Sequence, residues 1–467
     1  MKKMNNVKMI YLGLLMLLPI VILVIFTRCS EPGKKTIPGK ERPQSFVVHP
    51  EWSRNANIYE VNIRQYTPEG TFNAFLEHIP RLKKMGIDIL WLMPINPVGE
   101  KNRKGTLGSY YSIRDYKGIN PEFGTMDDFK MVVEKAHQEG MKVIIDWVAN
   151  HTSWDHAWIT EHPDWYTKDS LGNMIAPYDW SDVAQLDYTN KELWNGMLDA
   201  LKYWIQETGV DGYRCDVAWM IPVEFWDFAR TELDKVKPVF MLAEAEGPQY
   251  HTRSFDMTYA WELHHLLNSI AKGEKNAYAL GDQCIKEDTL YPTDAYRMLF
   301  TSNHDENSWK GTEFERMGEA SICMAVLTAT LPGMPLVYSG QESAFNERLK
   351  FFEKDTIDWK DYRLEPFYSK LFALKHAYQP LWNGSWGGRL ERVQTNADSL
   401  VFAFMREKEG DRIFVLTNLT GKVQESKLKG DSFAGRYKEW FTEEEATFEK
   451  GAIVRLKPWE YKVYVLK

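Results

Sequence analysis

Between residues 57 and 342 the sequence alternates eight short apolar runs with stretches whose apolar residues recur at helical spacing. The apolar runs cover residues 57–63, 87–94, 141–148, 210–217, 238–246, 256–261, 296–305 and 334–342. The clearest helical stretches cover residues 72–86, 125–140 and 192–209. Eight strands that alternate with helices predict an α/β fold, the parallel (β/α)₈ barrel.

Two parts of the chain depart from this alternation. About forty residues rich in Trp, Asp, Asn, Pro and Gly separate the third and fourth runs. They predict a small inserted subdomain at about residues 151–188. After about residue 380 the pattern changes to short strands with turns, which predicts a C-terminal β-sandwich-like domain over residues 380–467. The barrel itself is expected over residues 51–379.

The N-terminus reads as a targeting segment. After three lysines, residues 9–26 form an uncharged apolar run of 18 residues, and Cys29 follows closely. Three interpretations of residues 1–29 remain open: a lipoprotein signal lipidated at Cys29, an uncleaved membrane anchor, or a cleaved signal peptide. Arg28 weakens the first, because lipoprotein signals usually carry a small residue there. All three predict an extracytoplasmic protein, with residues 30–50 as a tether.

Composition narrows the class of function. The net charge of −8 argues against nucleic-acid binding as the main role. The 18 Trp, 23 Tyr and 23 Phe residues indicate either a large core or a groove that stacks flat faces such as sugar rings. The four cysteines show no CxxC spacing, so neither a zinc site nor a redox motif is expected.

Charged and polar residues collect where the predicted strands end. In a (β/α)₈ barrel the strand C-termini form the functional face. The residues at these ends are Asp146, Asn150, His151, Arg214, Asp216, Glu244, Asn303, His304 and Asp305. Buried like charges are costly, so their convergence on one face indicates a site. Paired carboxylates in a cleft suggest glycoside hydrolysis, in which one attacks the anomeric carbon and another protonates the leaving oxygen.

Seven stretches, in order, resemble the α-amylase family, glycoside hydrolase family 13. The four that carry the site are "DWVANH" (146–151), "GYRCDVA" (212–218), "LAEAEG" (242–247) and "FTSNHD" (300–305). The flanking stretches are "GIDILWLMP" (86–94), "SYYSIRDYKGINPEFGT" (109–125) and "GMPLVYSGQE" (333–342). The resemblance covers about residues 50–467. It implies a (β/α)₈ enzyme that acts on α-glucosidic bonds with retention.

The resemblance also implies roles for individual residues. Asp216 would be the nucleophile, Glu244 the general acid and base, and Asp305 the group that stabilises the transition state. Arg214 would hold Asp216 as an anion. The residues expected to contact the cleaved sugar are Tyr111, as a stacking platform, with His151 and His304. Glu246 competes with Glu244, and Tyr110 competes with Tyr111, for the same roles.

Two departures from the family pattern concern Trp219, Met220 and calcium. Many relatives carry Lys-His where this chain has Trp219 and Met220. Trp219 is interpreted either as a stacking residue or as packing under the inserted subdomain. The resemblance implies that a structural calcium ion would use Asn150, a carboxylate from Asp179, Asp182 or Asp187, and the backbone carbonyl of Met220. The chemistry itself requires no metal, and no DxDxDG loop indicates a second ion.

The leading expectation is a monomeric, secreted or membrane-tethered hydrolase of mainly α-1,4 bonds in starch-like glucans or maltooligosaccharides. An alternative is a transglycosylase or disaccharide-converting enzyme of the same family. A remote alternative is a non-catalytic, membrane-anchored binding subunit. The three carboxylates Asp216, Glu244 and Asp305, all present, argue against the last.

Overall fold

The computed structural model describes residues 43–467, and these contain a closed barrel of eight parallel strands. The strands are β1 (Ile58–Val61), β2 (Ile89–Leu92), β3 (Lys142–Trp147), β4 (Gly212–Cys215), β5 (Phe240–Ala243), β6 (Met257–Tyr259), β7 (Tyr296–Phe300) and β8 (Met334–Tyr338). Each strand pairs with its successor, and β8 pairs with β1 to close the ring. The predicted barrel is confirmed, although several strands end before the apolar run does.

The barrel interior is apolar at one end and charged at the other. Because side chains alternate along a strand, every second residue points inward. The inward residues in the lower barrel include Ile58, Ile144 and Leu242, which pack in one buried cluster. Two residues further along each strand stand Glu60, Asp146 and Glu244. The alternation of side chains along each strand therefore places apolar residues in the barrel core and carboxylates at its C-terminal end.

Helices follow the strands and cover the barrel. The α-helices of five residues or more are Phe72–Leu76, Ile79–Met85, Met126–Gln138, Lys191–Thr208, Val223–Asp234, Trp261–Ala271, Ala277–Leu290, Glu313–Met317, Ser321–Thr330 and Glu365–Ala377. The single helix predicted over residues 72–86 is wrong, because the chain restarts a helix after His78. Pro80 explains the break, since proline is tolerated in a first helical turn but not in a helix interior.

Residues between β3 and β4 contain a short antiparallel ribbon. His151–Ser153 pairs with Val183–Gln185, and the short helix Trp158–Glu161 lies between them. The ribbon starts directly at His151, so the insertion begins at the edge of the barrel's C-terminal face. It can therefore place side chains such as Trp180 beside the strand ends.

The C-terminal part of the chain is all β, as predicted. Its strands are β9 (Leu390–Val393), β10 (Val401–Lys408), β11 (Asp411–Asn418), β12 (Gln424–Lys427), β13 (Gly435–Glu439), β14 (Glu445–Phe448), β15 (Ile453–Leu456) and β16 (Tyr461–Leu466). Six form a sheet in the order β9-β10-β11-β16-β13-β14, and β12 pairs with β15. Their apolar faces build a separate core around Phe414.

The signal, lipoprotein and anchor interpretations of residues 1–29 lie outside the described residues. Part of the predicted tether is described, and it contacts the barrel. The amide of Phe46 donates to the carbonyl of Thr252, and His49 Nδ1 lies 2.8 Å from Asp256 Oδ1. Residues 46–50 are therefore not a free tether. Within residues 43–467, no helix is long and apolar enough to cross a membrane.

Arg406 on β10 fixes the C-terminal sheet to the barrel. Its side chain is buried, and Nη1 donates to the carbonyls of Thr330 (2.9 Å) and Leu331 (3.0 Å) at the end of a barrel helix. Nε donates to the carbonyl of Gly388 at 2.9 Å. A cation at a helix C-terminus complements the helix dipole and satisfies its free carbonyls. Burial without a carboxylate partner lowers the pKa of Arg406 to about 9.

The variant Arg406→Met is expected to lower the free energy of unfolding by about 2–4 kcal/mol. The variant leaves three buried carbonyl groups without hydrogen-bond donors, which costs about 1–3 kcal/mol for each carbonyl. Removing the buried charge of Arg406 offsets part of that cost. Urea unfolding measures the change. Arg412→Met, which removes a half-exposed pair with Glu407 and a 3.4 Å contact with the carbonyl of Ser432, is the control and should cost less than about 1 kcal/mol. Equal losses in both variants would contradict the account.

Candidate active site

A cleft of about 480 Å³ opens at the C-terminal end of the barrel. Asp216, Glu244 and Asp305 line it, together with His151 and His304. The three carboxylates come after three different strands: Asp216 after β4, Glu244 after β5 and Asp305 after β7. The structure thus brings together the groups that were predicted from strand ends.

One guanidinium joins three of the carboxylates. Arg214 Nη1 lies 2.9 Å from Asp146 Oδ1 and 3.0 Å from Asp216 Oδ1. Arg214 Nη2 lies 2.8 Å from Glu244 Oε2. Arg214 is fully buried, and its charge is fixed because a guanidinium does not lose its proton in proteins. The neighbouring Cys215 points the other way, into the layer between strands and helices, as alternation predicts.

Asp146 accepts hydrogen bonds from several residues of this cluster. It accepts hydrogen bonds from Trp91 Nε1 (3.2 Å), Tyr111 OH (3.1 Å) and Arg214. Tyr259 adds a further contact, since Arg214 Nε donates to its hydroxyl at 3.1 Å. Asp146 has no exposed side-chain surface, so it positions its neighbours and does not face the cleft. These contacts give Asp146 a structural role in the site.

Asp216 and Glu244 hold protons more tightly than isolated carboxyl groups. Burial raises the pKa of both, Arg214 opposes this, and Glu244 raises the pKa of Asp216 further. The two groups therefore titrate as a pair. Glu244 Oε2 accepts a hydrogen bond from the amide of Val217 (2.8 Å) and lies 2.8 Å from Arg214 Nη2.

Asp305 stays ionised beside His304. Burial alone would raise the pKa of Asp305, but the charge and hydrogen bond of His304, together with the charge of Arg214, lower it. His304 Nε2 lies 3.3 Å from Asp305 Oδ2 and 2.8 Å from the hydroxyl of Tyr111. His304 Nδ1 lies 2.5 Å from Oε1 of Glu60. Burial works against the imidazolium, yet Asp305 and Glu60 raise the pKa of His304 well above its usual value.

His151 has the opposite electrostatic character. It is buried away from carboxylates, and burial lowers its pKa to about 4, so it is neutral at pH 7. The side chain of Asn150 lies 3.2 Å from His151 Nδ1, which makes Nδ1 the acceptor and leaves the proton on Nε2. The cleft is therefore lined by one charged imidazole, His304, and one neutral imidazole, His151.

The sequence matches the family described as alpha amylase, catalytic domain, over residues 43–171 and 163–383. These segments together span residues 43–383, well over half of the chain. The chain belongs to the alpha-amylase family. The resemblance drawn from the seven sequence motifs is confirmed.

Individual relatives agree with this assignment. A solved alpha-amylase from Lactobacillus plantarum is 32% identical, with a TM-score of 0.79 and coverage of 89% of this chain and 100% of that one. The alpha-amylase MalA of Haloarcula japonica is 29% identical over 79% of this chain and 56% of that protein. An alpha-1,4-glucan:maltose-1-phosphate maltosyltransferase of Picrophilus torridus is 26% identical over 81% of this chain and 62% of that protein. The chain spans less than two thirds of the length of the last two.

Glu246 and Tyr110, the alternatives to Glu244 and Tyr111, lie outside the cleft lining. Glu246 turns away to an ion pair of 2.8 Å with Arg297, outside the cleft lining. Tyr110 is buried under the guanidinium of Arg64, which lies 4.0 Å from its ring centroid. Tyr111 lines the cleft and contacts both Asp146 and His304.

Trp219 does not pack under the inserted segment. It is 50% exposed, and its ring centroid lies 6.4 Å from that of Tyr178, itself 69% exposed. Trp219 stands two residues beyond Val217, which lines the cleft. The two rings therefore form an exposed aromatic pair at the cleft rim.

The carboxylates considered for calcium have other partners or are exposed. Asp182 pairs with Lys104 at 3.1 Å, Asp187 accepts from Thr189, and Asp179 is exposed. Asn150 contacts His151 as described above. Across residues 43–467, no three His, Cys, Asp or Glu side chains converge in a group that could hold a metal. Calcium also takes backbone-carbonyl and amide oxygens, so a structural calcium ion at Asn150 stays a prediction.

Two aromatic residues that line the cleft and one buried carboxylate beside it were not predicted from the sequence. Phe351 stacks on Tyr111 with centroids 6.1 Å apart, and Trp309 lies 5.1 Å from Phe351. Both come from segments without a recognisable motif. Glu60 was overlooked inside an apolar strand, although a lone acidic residue in such a run was an available signal.

Proposed function

We propose that this protein is a retaining glycoside hydrolase that cleaves α-1,4-glucosidic bonds in starch-like glucans or maltooligosaccharides. The observation that carries the proposal is the shared guanidinium: Arg214 contacts both Asp216 and Glu244 at the floor of an open cleft. This arrangement supplies one ionised and one protonated carboxyl group side by side, which a double displacement requires.

In the first step, Asp216 attacks the anomeric carbon while the bond from that carbon to the glycosidic oxygen breaks. Glu244 transfers its proton to the departing oxygen, so the leaving sugar departs as an alcohol. The products are a covalent glycosyl ester on Asp216 and an ionised Glu244. In the second step, Glu244 takes a proton from water, the hydroxide attacks the anomeric carbon, and Asp216 is released.

The remaining cleft residues hold the sugar and the developing positive charge. Asp305, which is kept ionised, accepts from sugar hydroxyls and stabilises the oxocarbenium-like transition state. His151 donates to a hydroxyl of the same sugar through Nε2. His304, whose two ring nitrogens face Glu60 and Asp305, contributes its positive charge beside that sugar. Tyr111 offers a ring face for stacking, backed by Phe351.

Incubation with maltoheptaose, followed by chromatography of the products over time, tests the proposal. The expected products are maltooligosaccharides shorter than the substrate. Products longer than maltoheptaose would instead indicate transfer of the glycosyl group to a second sugar. Absence of any turnover of maltoheptaose would contradict the α-1,4-glucan assignment.

Glycosyl transfer is a second candidate, and the Trp219–Tyr178 pair favours it. An exposed aromatic pair near the cleft can hold an acceptor sugar where water would otherwise enter, and one relative is a maltosyltransferase. Trp219→Ala is expected to lower the ratio of transfer to hydrolysis products about fivefold, corresponding to about 1 kcal/mol of lost stacking. Trp386→Ala, an exposed tryptophan outside the cleft lining, is the control. An unchanged ratio in Trp219→Ala would remove this role.

A further inference from the structure

Glu60 is a fully buried carboxylate with an unusual position. It is the third residue of β1, between Tyr59 and Val61, and has no exposed surface. Its Oε1 contacts His304 Nδ1 at 2.5 Å, and its Oε2 has no hydrogen-bond partner among the described residues. A half-satisfied buried carboxylate costs stability, so its presence needs a reason beyond packing.

The contacts of His304 define its protonation state. Nδ1 faces the carboxylate of Glu60, and Nε2 faces the carboxylate of Asp305. Burial raises the pKa of Glu60, and the charge of His304 opposes this. With Glu60 and Asp305 ionised, both carboxylates accept hydrogen bonds, so each ring nitrogen of His304 carries a proton. The hydroxyl of Tyr111 is consistent with a proton on His304 Nε2. This hydroxyl donates its own proton to Asp146 and can therefore accept a hydrogen bond from Nε2. The geometry describes an imidazolium held between two anions.

We propose that Glu60 is a positioning residue that keeps His304 doubly protonated, so that the cleft presents a fixed positive charge beside Asp305. Glu60 contacts neither the cleft nor a bound sugar, since it is absent from the cleft lining. It acts through His304 alone. This role deepens the proposed function, and its activity test rests on that function.

The other charges around His304 belong to several elements. Asp146 comes from β3, Arg214 from β4, Glu244 from β5 and Asp305 from the chain beyond β7. Tyr111, which contributes a hydroxyl, follows β2. Asp305 alone would favour the imidazolium, but its side chain is 36% exposed and faces the substrate. Glu60 supplies a second, shielded anion that stays in place when substrate enters.

The variant Glu60→Gln keeps the shape of the side chain and removes its charge. A nearby opposite charge favours the charged form of His304, so its loss lowers the pKa of His304, by at least about one unit. His304 should then lose its proton at lower pH. The alkaline limb of the kcat/KM profile is expected to move to lower pH by the same amount.

NMR titration of protein labelled with ¹⁵N-histidine tests the inference without substrate. The His304 signal is assigned by its loss in His304→Asn. We expect His304 to stay doubly protonated to a higher pH in the native protein than in Glu60→Gln. The control is Glu342→Gln, which neutralises another fully buried carboxylate, paired with Arg81 at 2.9 Å and not with His304. Identical His304 titration in Glu60→Gln and the native protein would overturn the proposal.

Two further measurements separate the possible failures. Glu60→Asp retains the negative charge on a side chain that is one methylene shorter, so the pKa of His304 should stay close to its native value. This variant keeps the test decisive if Glu60→Gln does not fold. An Asp variant that titrates no differently from Glu60→Gln would contradict a charge effect. A native protein inactive on maltoheptaose but with the expected NMR titration would contradict the proposed function and leave the role of Glu60 supported.

Discussion

Replacing Asp216 by asparagine is expected to lower kcat for maltoheptaose hydrolysis by at least about 10⁴-fold. The amide has the size of the carboxylate but cannot form the glycosyl ester, so the first step has no nucleophile. Arg214 would keep its contacts with Asp146 and Glu244, and the fold should therefore survive. Steady-state kinetics with circular dichroism of the same sample measure both properties.

Asp211→Asn is the matched control for this variant. Asp211 immediately precedes β4, whereas Asp216 immediately follows it, so the two carboxylates mark opposite ends of one strand. Asp211 is buried and pairs with Lys237 at 2.9 Å, far from the cleft lining. Its replacement should reduce stability and leave kcat within a few-fold. Substantial activity in Asp216→Asn would mean that another group forms the intermediate.

Replacing Glu244 by glutamine is expected to lower kcat for maltoheptaose by about 10³-fold, the usual contribution of a general acid or base. The defect should depend on the leaving group, because only a poor leaving group needs a proton. With α-maltosyl fluoride, the first step should remain fast and the second, which needs a base, should be slow. A burst of one fluoride per enzyme molecule, followed by slow turnover, is the expected observation.

Glu246→Gln is the control for Glu244→Gln. The two residues are separated by a single alanine, and Glu246 pairs with Arg297 outside the cleft. Glu246→Gln should keep kcat within about twofold and show no fluoride burst. The opposite pattern, with loss in Glu246→Gln and none in Glu244→Gln, would reverse the assignment of the acid.

The barrel and most of its charged face could be predicted from sequence because both follow from a period of two along the strands. Ile144 and Asp146, or Leu242 and Glu244, point the same way, and the polar groups Asp146, Asp216 and Glu244 stand at or just beyond the ends of β3, β4 and β5. Alternation of strands and helices then orders these ends around one ring. Arg214 and Asp216 share a face for the same reason.

The remaining features depend on contacts between segments distant in sequence. Glu60 contacts His304, which lies 244 positions further along the sequence, and Phe351 contacts Tyr111, which lies 240 positions before it. No local sequence pattern predicts either contact. The exposure of Trp219 depends on where the inserted segment places Tyr178. The break in the helix predicted at residues 72–86 differs, since Pro80 was a local signal that the helical periodicity concealed.

The most direct test of the account is the anomeric form of the first product. Proton NMR during the first minutes of maltoheptaose cleavage resolves the new reducing end before mutarotation equilibrates it. Double displacement through Asp216 predicts that the α-anomer appears first and the β-anomer grows in later. Initial appearance of the β-anomer would show single displacement by water and would contradict the assignment of Asp216 as nucleophile.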